Sequence, residues 1–241
     1  MPGVFPLRMR PWHGVPIVDC GESLEALPAS LLRLEPHPYA SLGAPYGTAG
    51  SPFRLRSGVV SRLLAAQESL QRHDPRLRLA IFDAWRPLAV QRFMVRHALV
   101  EECRQRGLDP DREGQELEAV RVLVARFWAS PSADPATPPP HSTGAAVDLT
   151  LADHEGQPLP MGGAIDALGP VSEPDHYASA ALAAPQSEPA RWHANRERLQ
   201  DVMAVAGFCR HPNEWWHFSL GDQLWAWTLG EGQAIYGRLE G

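Results

Sequence analysis

The stretch GVVSRLLAAQESLQRHDPRLRLAIFDAWRPLAVQRFMVRHAL, residues 58–99, changes its hydrophobic period twice and so decides the fold. Val59, Val60, Leu63, Leu64, Gln67 and Leu70 recur at spacings of three and four, with Arg62, Glu68 and Arg72 between them, as a helix with one buried stripe requires. Asp74-Pro75 ends that helix. Leu77, Leu79 and Ile81 then alternate with Arg76, Arg78 and Ala80, the period of a half-buried strand. The strand delivers the chain to Phe82-Asp83-Ala84-Trp85-Arg86-Pro87. Pro87 fits the first turn of a second helix, which carries Val90, Phe93, Met94, His97 and Leu99 and stops at Gly107.

Outward from this unit, Gln115 to Trp128 reads as a third helix, Pro131 to Pro140 as a loop, and Ala145 to Leu151 as a strand closed by a turn at His154-Glu155-Gly156. Residues 169–189 are rich in Pro, Ala, Ser and Glu and too long for a simple connection, so a lid is expected there. Arg191 to Ala206 is helical in pattern, Gly207 stops it, and Trp215, Trp216, Phe218 and Leu220 read as a buried strand. Residues 1–57 show scattered Pro and Gly and no sustained period, which predicts an irregular arm wrapped on the rest. The expected class is α+β: a single domain over 1–241, with helices packed on a central, mainly antiparallel sheet.

Composition narrows the function. The chain has 241 residues, 44% apolar and 21% charged, enough for one large domain with a core. A net charge of -6 gives no electrostatic reason to expect nucleic acid. No run approaches the roughly 20 apolar residues of a membrane span, and the start MPGVFPLRMRPW lacks a signal-peptide core, so a cytoplasmic protein that meets no membrane is expected. All 22 basic side chains are Arg, which excludes lysine Schiff bases and P-loops. Cys20, Cys103 and Cys209 are odd in number and widely spaced, so they form neither a disulfide framework nor a metal knuckle.

The chemistry concentrates in two strings, His141-Ser-Thr-Gly-Ala-Ala-Val-Asp148 and Glu214-Trp-Trp-His217. Two histidines and an aspartate suit a divalent metal, and three protein ligands leave a position open for water, the arrangement of a catalytic zinc site. A straight strand would hold His141 and Asp148 about 23 Å apart, whereas ligands of one ion lie about 3 to 4 Å apart, so the chain must turn at Thr143-Gly144. Residues three apart face opposite sides of a strand, so Glu214 belongs to the entering loop after Pro212-Asn213. A strand beginning at Trp215 would put His217 and Trp215 in the cleft, and Trp216 and Phe218 in the core. Glu214 would reach a metal-bound water without ligating the ion. The remaining histidines, including His13, His37 and His211, read as ordinary surface or core residues.

FDAWRP (82–87), HSTGAAVDLTL (141–151) and EWWHF (214–218), with MGGAID (161–166) and NRERL (195–199), resemble the zinc D-alanyl-D-alanine dipeptidases of the VanX type. The resemblance runs from about Tyr39 to Leu220. It implies one Zn2+ per chain, with His141, Asp148 and His217 as zinc ligands and Glu214 as catalytic base. It also implies Arg86 as the arginine that stabilises the transition state, and Asp166 as the carboxylate that holds the amino group of a small dipeptide. Tyr39-Ala40 resembles a substrate-contacting pair. One position departs from the pattern: Pro139 stands where the family has a serine that helps to bind the substrate carboxylate, and proline offers neither hydroxyl nor N–H. Other readings keep the zinc site but act on peptidoglycan stems as carboxypeptidase or endopeptidase, or hold metal without catalysis. A non-haem iron oxygenase also uses two histidines and a carboxylate, but leaves Glu214 without a purpose.

Overall fold

A computed structural model describes residues 9–47 and 51–240. The expectations for residues 1–8, including the missing signal core, and for residues 48–50 of the arm lie outside the described residues. In chain order the elements are β1 (Leu24–Ala26), β2 (Leu32–Arg33), α1 (Pro38–Ser41), β3 (Arg54–Arg56), α2 (Ser57–His73), β4 (Arg78–Asp83), α3 (Leu88–Arg106), α4 (Gln115–Phe127), β5 (Ala146–Ala152), α5 (Ala178–Ala183), α6 (Glu188–Val205), β6 (Cys209–Arg210), β7 (His217–Ser219) and α7 (Gln223–Leu229). Five strands form one sheet in the order β2-β4-β5-β7-β6, and β1 pairs with β3 apart from it. The β2–β4 pair is parallel and the other three pairs are antiparallel, so the class is α+β as the residue pattern predicts.

The periodic stripe of α2 buries Val59, Leu63 and Leu70 against Leu79, Ile81, Val147 and Leu149 of the sheet and Leu199 and Met203 of α6. Burying each such leucine contributes about 1.5 to 3 kcal/mol, which fixes the sheet that carries the site. A second cluster joins α3 and α4 through Val90, Met94, Leu99, Leu117, Val120 and Val124, and takes in Tyr39 and Tyr46. Among the described residues no helix is long and apolar enough to cross a membrane.

Two expectations are corrected. The described part of the N-terminal arm is not irregular: it supplies β1, β2, α1 and β3. These elements run two to four residues, too short to register as a period, and they form because β2 completes the edge of the sheet beside β4. Residues 169–189 are not an unstructured lid: they carry α5 and the start of α6, and their first residues are anchored. Ser172 is fully buried, its carbonyl accepts from the Trp215 amide at 3.0 Å, and Arg196 of α6 donates to the Val171 and Glu173 carbonyls at 2.9 Å each.

Candidate active site

Strand pairing sets three side chains in a row. Asp148 of β5 lies opposite Asp83 of β4 on one side and His217 of β7 on the other. Asp83 reaches that row through a register shift between Ile81 and Asp83. Such a bulge re-aims the side chains beyond it, so Ile81 stays in the core while Asp83 turns to the face of Asp148. His141 sits in a 3-10 turn, Pro140–Thr143, ended by Gly144 at φ 72°. A Cβ on Gly144 would stand 2.6 Å from the Leu24 side chain, so the turn that brings His141 back to the sheet needs glycine both for its backbone angle and for its space.

The proton bookkeeping of the two imidazoles defines what they face. His141 Nδ1 lies 2.7 Å from the Ala84 carbonyl, to which it donates, leaving Nε2 as a bare lone pair. Ser219 donates its hydroxyl to Asp222 at 2.7 Å and therefore accepts from His217 Nε2 at 3.3 Å, leaving His217 Nδ1 bare as well. These two nitrogens stand 3.1 Å apart, and the Asp148 oxygens lie 3.2 Å from one and 3.0 Å from the other. Two imidazole nitrogens and a carboxylate buried this close together make a donor set that one cation would hold together. The donor set therefore fits a divalent metal, and the hydrogen bonds behind each histidine are those that orient metal-bound imidazoles. Glu214 is outside this set: its oxygens lie 3.8 Å from His217 Nδ1 and 3.6 Å from His211 Nδ1.

Glu214 is buried, and burial followed by the charges of Asp148 and Asp166 pushes its carboxyl well above the usual range. The Asn213 amide donates to His211 Nδ1 at 3.2 Å, so that nitrogen offers Glu214 no proton. Burial, then the neighbouring His217, also keeps His211 neutral by lowering its pKa. Arg86 is held from several sides. Nε and Nη2 donate to Asp83 at 3.0 and 2.7 Å, Nη1 to Gln91 at 3.0 Å, and Nη2 lies 3.3 Å from Asp148. Its guanidinium lies 5.0 Å from the ring centre of Tyr39 and 5.2 Å from that of Trp128. Asp83 in turn accepts from His37 at 3.1 Å and from Tyr46 at 3.2 Å.

Asp166 is the described non-glycine residue with a positive φ, 65°, a conformation that Asp tolerates better than most side chains. It accepts from the Tyr39 hydroxyl at 2.7 Å. Burial, reinforced by Asp148, pushes its carboxyl up to about 7. The loop before it depends on Gly162, at φ 76°, where a Cβ would stand 2.4 Å from the Tyr177 ring. Arg196 donates to the Met161 carbonyl at 2.8 Å as well as to Val171 and Glu173, and so ties both ends of the Asp166 loop.

One cleft is lined by Arg86, His141, Asp148, Asp166, Glu214 and His217 together, so every sequence-predicted site residue meets the same space. Segment 169–189 supplies none of the described lining residues. The expected roles of the two tryptophans are exchanged: Trp216 lines the cleft, and Trp215 stacks on Arg196 with its ring centre 5.2 Å from the guanidinium. The strand begins at His217 and not at Trp215, so strict alternation does not extend back to that pair. Tyr39 is buried and bonded to Asp166, which makes it a support for the carboxylate. Sequence reasoning missed the Asp83–His37–Tyr46 network behind Arg86, and also His211, Trp12 and Arg10 on the cleft wall. A polar Asp83 within an apolar strand was the available signal for the first.

A family profile described as D-ala-D-ala dipeptidase, Peptidase_M15, matches residues 33–234. A D-alanyl-D-alanine dipeptidase of Synechocystis sp. is 44% identical, covering 98% of this chain and 99% of its own length. One from Enterococcus faecium is 29% identical over 60% of this chain and 63% of its own length. Another from Streptomyces coelicolor is 39% identical over 34% of this chain and 37% of its own length. The chain belongs to the D-Ala-D-Ala dipeptidase family, Peptidase_M15.

Proposed function

We propose that this protein is a zinc-dependent dipeptidase that hydrolyses D-alanyl-D-alanine to D-alanine, with one zinc ion per chain held by His141, Asp148 and His217. The observation that carries the reading is the convergence of two imidazole nitrogens and a carboxylate within 3.2 Å of one another, each imidazole held by a hydrogen bond at its other nitrogen, with Glu214 beside them and outside the ligand set. When bound, zinc supplies Lewis acidity and lowers the pKa of a coordinated water from 15.7 towards about 7.

Glu214 then serves as general base, taking a proton from the attacking water and returning it to the leaving amine. Arg86, fixed by Asp83 and Gln91, stabilises charge developing on the scissile carbonyl oxygen, an effect of about 3 to 4 kcal/mol for one well-placed donor. Asp166 pairs with the free ammonium group of the substrate and so selects a dipeptide over an acylated stem peptide. The whole chain, 1–241, acts as one peptidase domain: Gln223 of α7 donates to the Val15 carbonyl at 2.7 Å, and the Leu239 amide donates to the carbonyl of Ser142, next to His141, at 2.9 Å. A cytoplasmic setting accords with three free cysteines, one of them exposed.

The test is hydrolysis of the L,L, L,D, D,L and D,D dialanines, and of N-acetyl-D-Ala-D-Ala, by zinc-loaded and chelated protein. Chelator-sensitive cleavage confined to the free D,D isomer is expected. Equal cleavage of the acetylated peptide would instead establish the carboxypeptidase or endopeptidase reading, and no metal-dependent cleavage at all would remove the enzymatic one.

A further inference from the structure

A zwitterionic dipeptide brings a carboxylate into the cleft as well as an amine, and on the functional reading above this second charge needs a partner. Arg86, held by Asp83 and Gln91, already serves the scissile carbonyl. Pro138, Pro139 and Pro140 line the wall beside His141 and carry no amide hydrogen. The Thr137 hydroxyl, also on that wall, is bonded to Ser132 at 2.8 Å. The histidine nearest the ligands, His211, accepts from the Asn213 amide at Nδ1 and packs edge-on against His217.

The other arginine on the cleft wall is Arg10. It enters from the N-terminal segment, just before the 3-10 turn Pro11–Gly14, and is oriented by donation from Nη2 to the Ala125 carbonyl at 2.7 Å and the Arg126 carbonyl at 3.1 Å, near the C-terminal end of α4. Its guanidinium lies 5.8 Å from the Trp12 ring centre. Trp12 packs edge-on against His211 at 5.7 Å, and His211 against His217 at 5.4 Å, so the segment is built directly onto the catalytic cluster.

We propose that Arg10 is a specificity-determining residue whose guanidinium pairs with the C-terminal carboxylate of the dipeptide, the task for which Pro139 provides no donor. Asp166 and Arg10 then read the two termini with opposite charges, and the N-terminal segment is part of the active site.

The test compares steady-state hydrolysis of D-Ala-D-Ala and of its C-terminal amide by zinc-loaded wild type, Arg10→Ala, Arg10→Gln and Arg10→Lys. In the wild type the free acid should have the lower KM. Arg10→Ala and Arg10→Gln should raise KM for the acid about tenfold to a hundredfold, as loss of one charge-assisted contact implies, leave KM for the amide unchanged, and retain kcat. Arg10→Lys, which keeps the charge without the planar fork, should fall between. A merely structural role would raise both KM values together, so parallel changes in acid and amide overturn the proposal, as does an acid KM that does not move. If wild type cleaves neither compound, the dipeptidase reading itself falls; normal wild-type cleavage with an indifferent Arg10→Gln removes Arg10 alone.

Discussion

Replacing Arg196 by methionine, which keeps the bulk of the stem and deletes the guanidinium, should both destabilise the protein and weaken substrate binding. Arg196 is fully buried and donates three hydrogen bonds to the Met161, Glu173 and Val171 carbonyls at 2.8, 2.9 and 2.9 Å. Its guanidinium also lies 4.9 Å from the ring centre of Tyr177 and 5.2 Å from that of Trp215, and burial draws its pKa down to about 10. Hydrogen bonds from a charged donor are worth about 1.5 to 3 kcal/mol each, so three give about 4.5 to 9 kcal/mol before the cost of burying the ion. Desolvation takes back several kcal/mol, which leaves a net loss of about 3 to 5 kcal/mol in the variant. At about 2 to 4 °C per kcal/mol for a domain of this size, Tm should fall by about 6 to 20 °C. The same three bonds tie the ends of the loop that bears Asp166, so KM for D-Ala-D-Ala should rise about tenfold while kcat changes much less. Thermal unfolding of the zinc-loaded protein followed by circular dichroism, with initial rates below the transition, measures both. A Tm within about 2 °C of wild type together with an unchanged KM would refute the reasoning, since at least one of stability and loop position must depend on the clamp.

Glu214→Gln should retain zinc and lose about 10² to 10⁴ in turnover, read by D-alanine release and metal analysis on the same preparation. Ser219→Ala removes the acceptor that fixes the His217 tautomer and should weaken zinc affinity about 10- to 100-fold in a competition titration with a chromophoric chelator. Asp166 protonates at about 7 because burial and Asp148 disfavour its charge, and only the ionised form pairs with an ammonium group. KM should therefore rise as pH falls through that midpoint, which bound zinc will draw lower, and the acid limb should vanish for a substrate analogue lacking the amine.

The three residues that converge, His141, Asp148 and His217, were legible because each stands at a break in a local pattern: a histidine before a glycine turn, an aspartate inside an apolar strand, and a histidine at the start of another. The helices around residues 58–127 were legible because their stripes are long. What stayed hidden depends on the third dimension. The bulge that turns Asp83 towards Asp148 inserts Phe82 without any residue that marks a bulge. The strands of the N-terminal arm are too short to show a period, and the exchange of Trp215 and Trp216 follows from a strand that starts two residues later than expected. His37 and His211 look ordinary in the sequence; β4 brings Asp83 to His37, and the β6–β7 connection folds His211 against Glu214 and His217.

Zinc content after exhaustive dialysis, measured by plasma mass spectrometry on wild type and on His141→Ala, His217→Ala and Glu214→Ala, tests the ligand assignment most directly. The account predicts one zinc per chain in wild type and in the Glu214 variant, and near-complete loss in both histidine variants while they remain folded. Full zinc occupancy in folded His141→Ala and His217→Ala would contradict it.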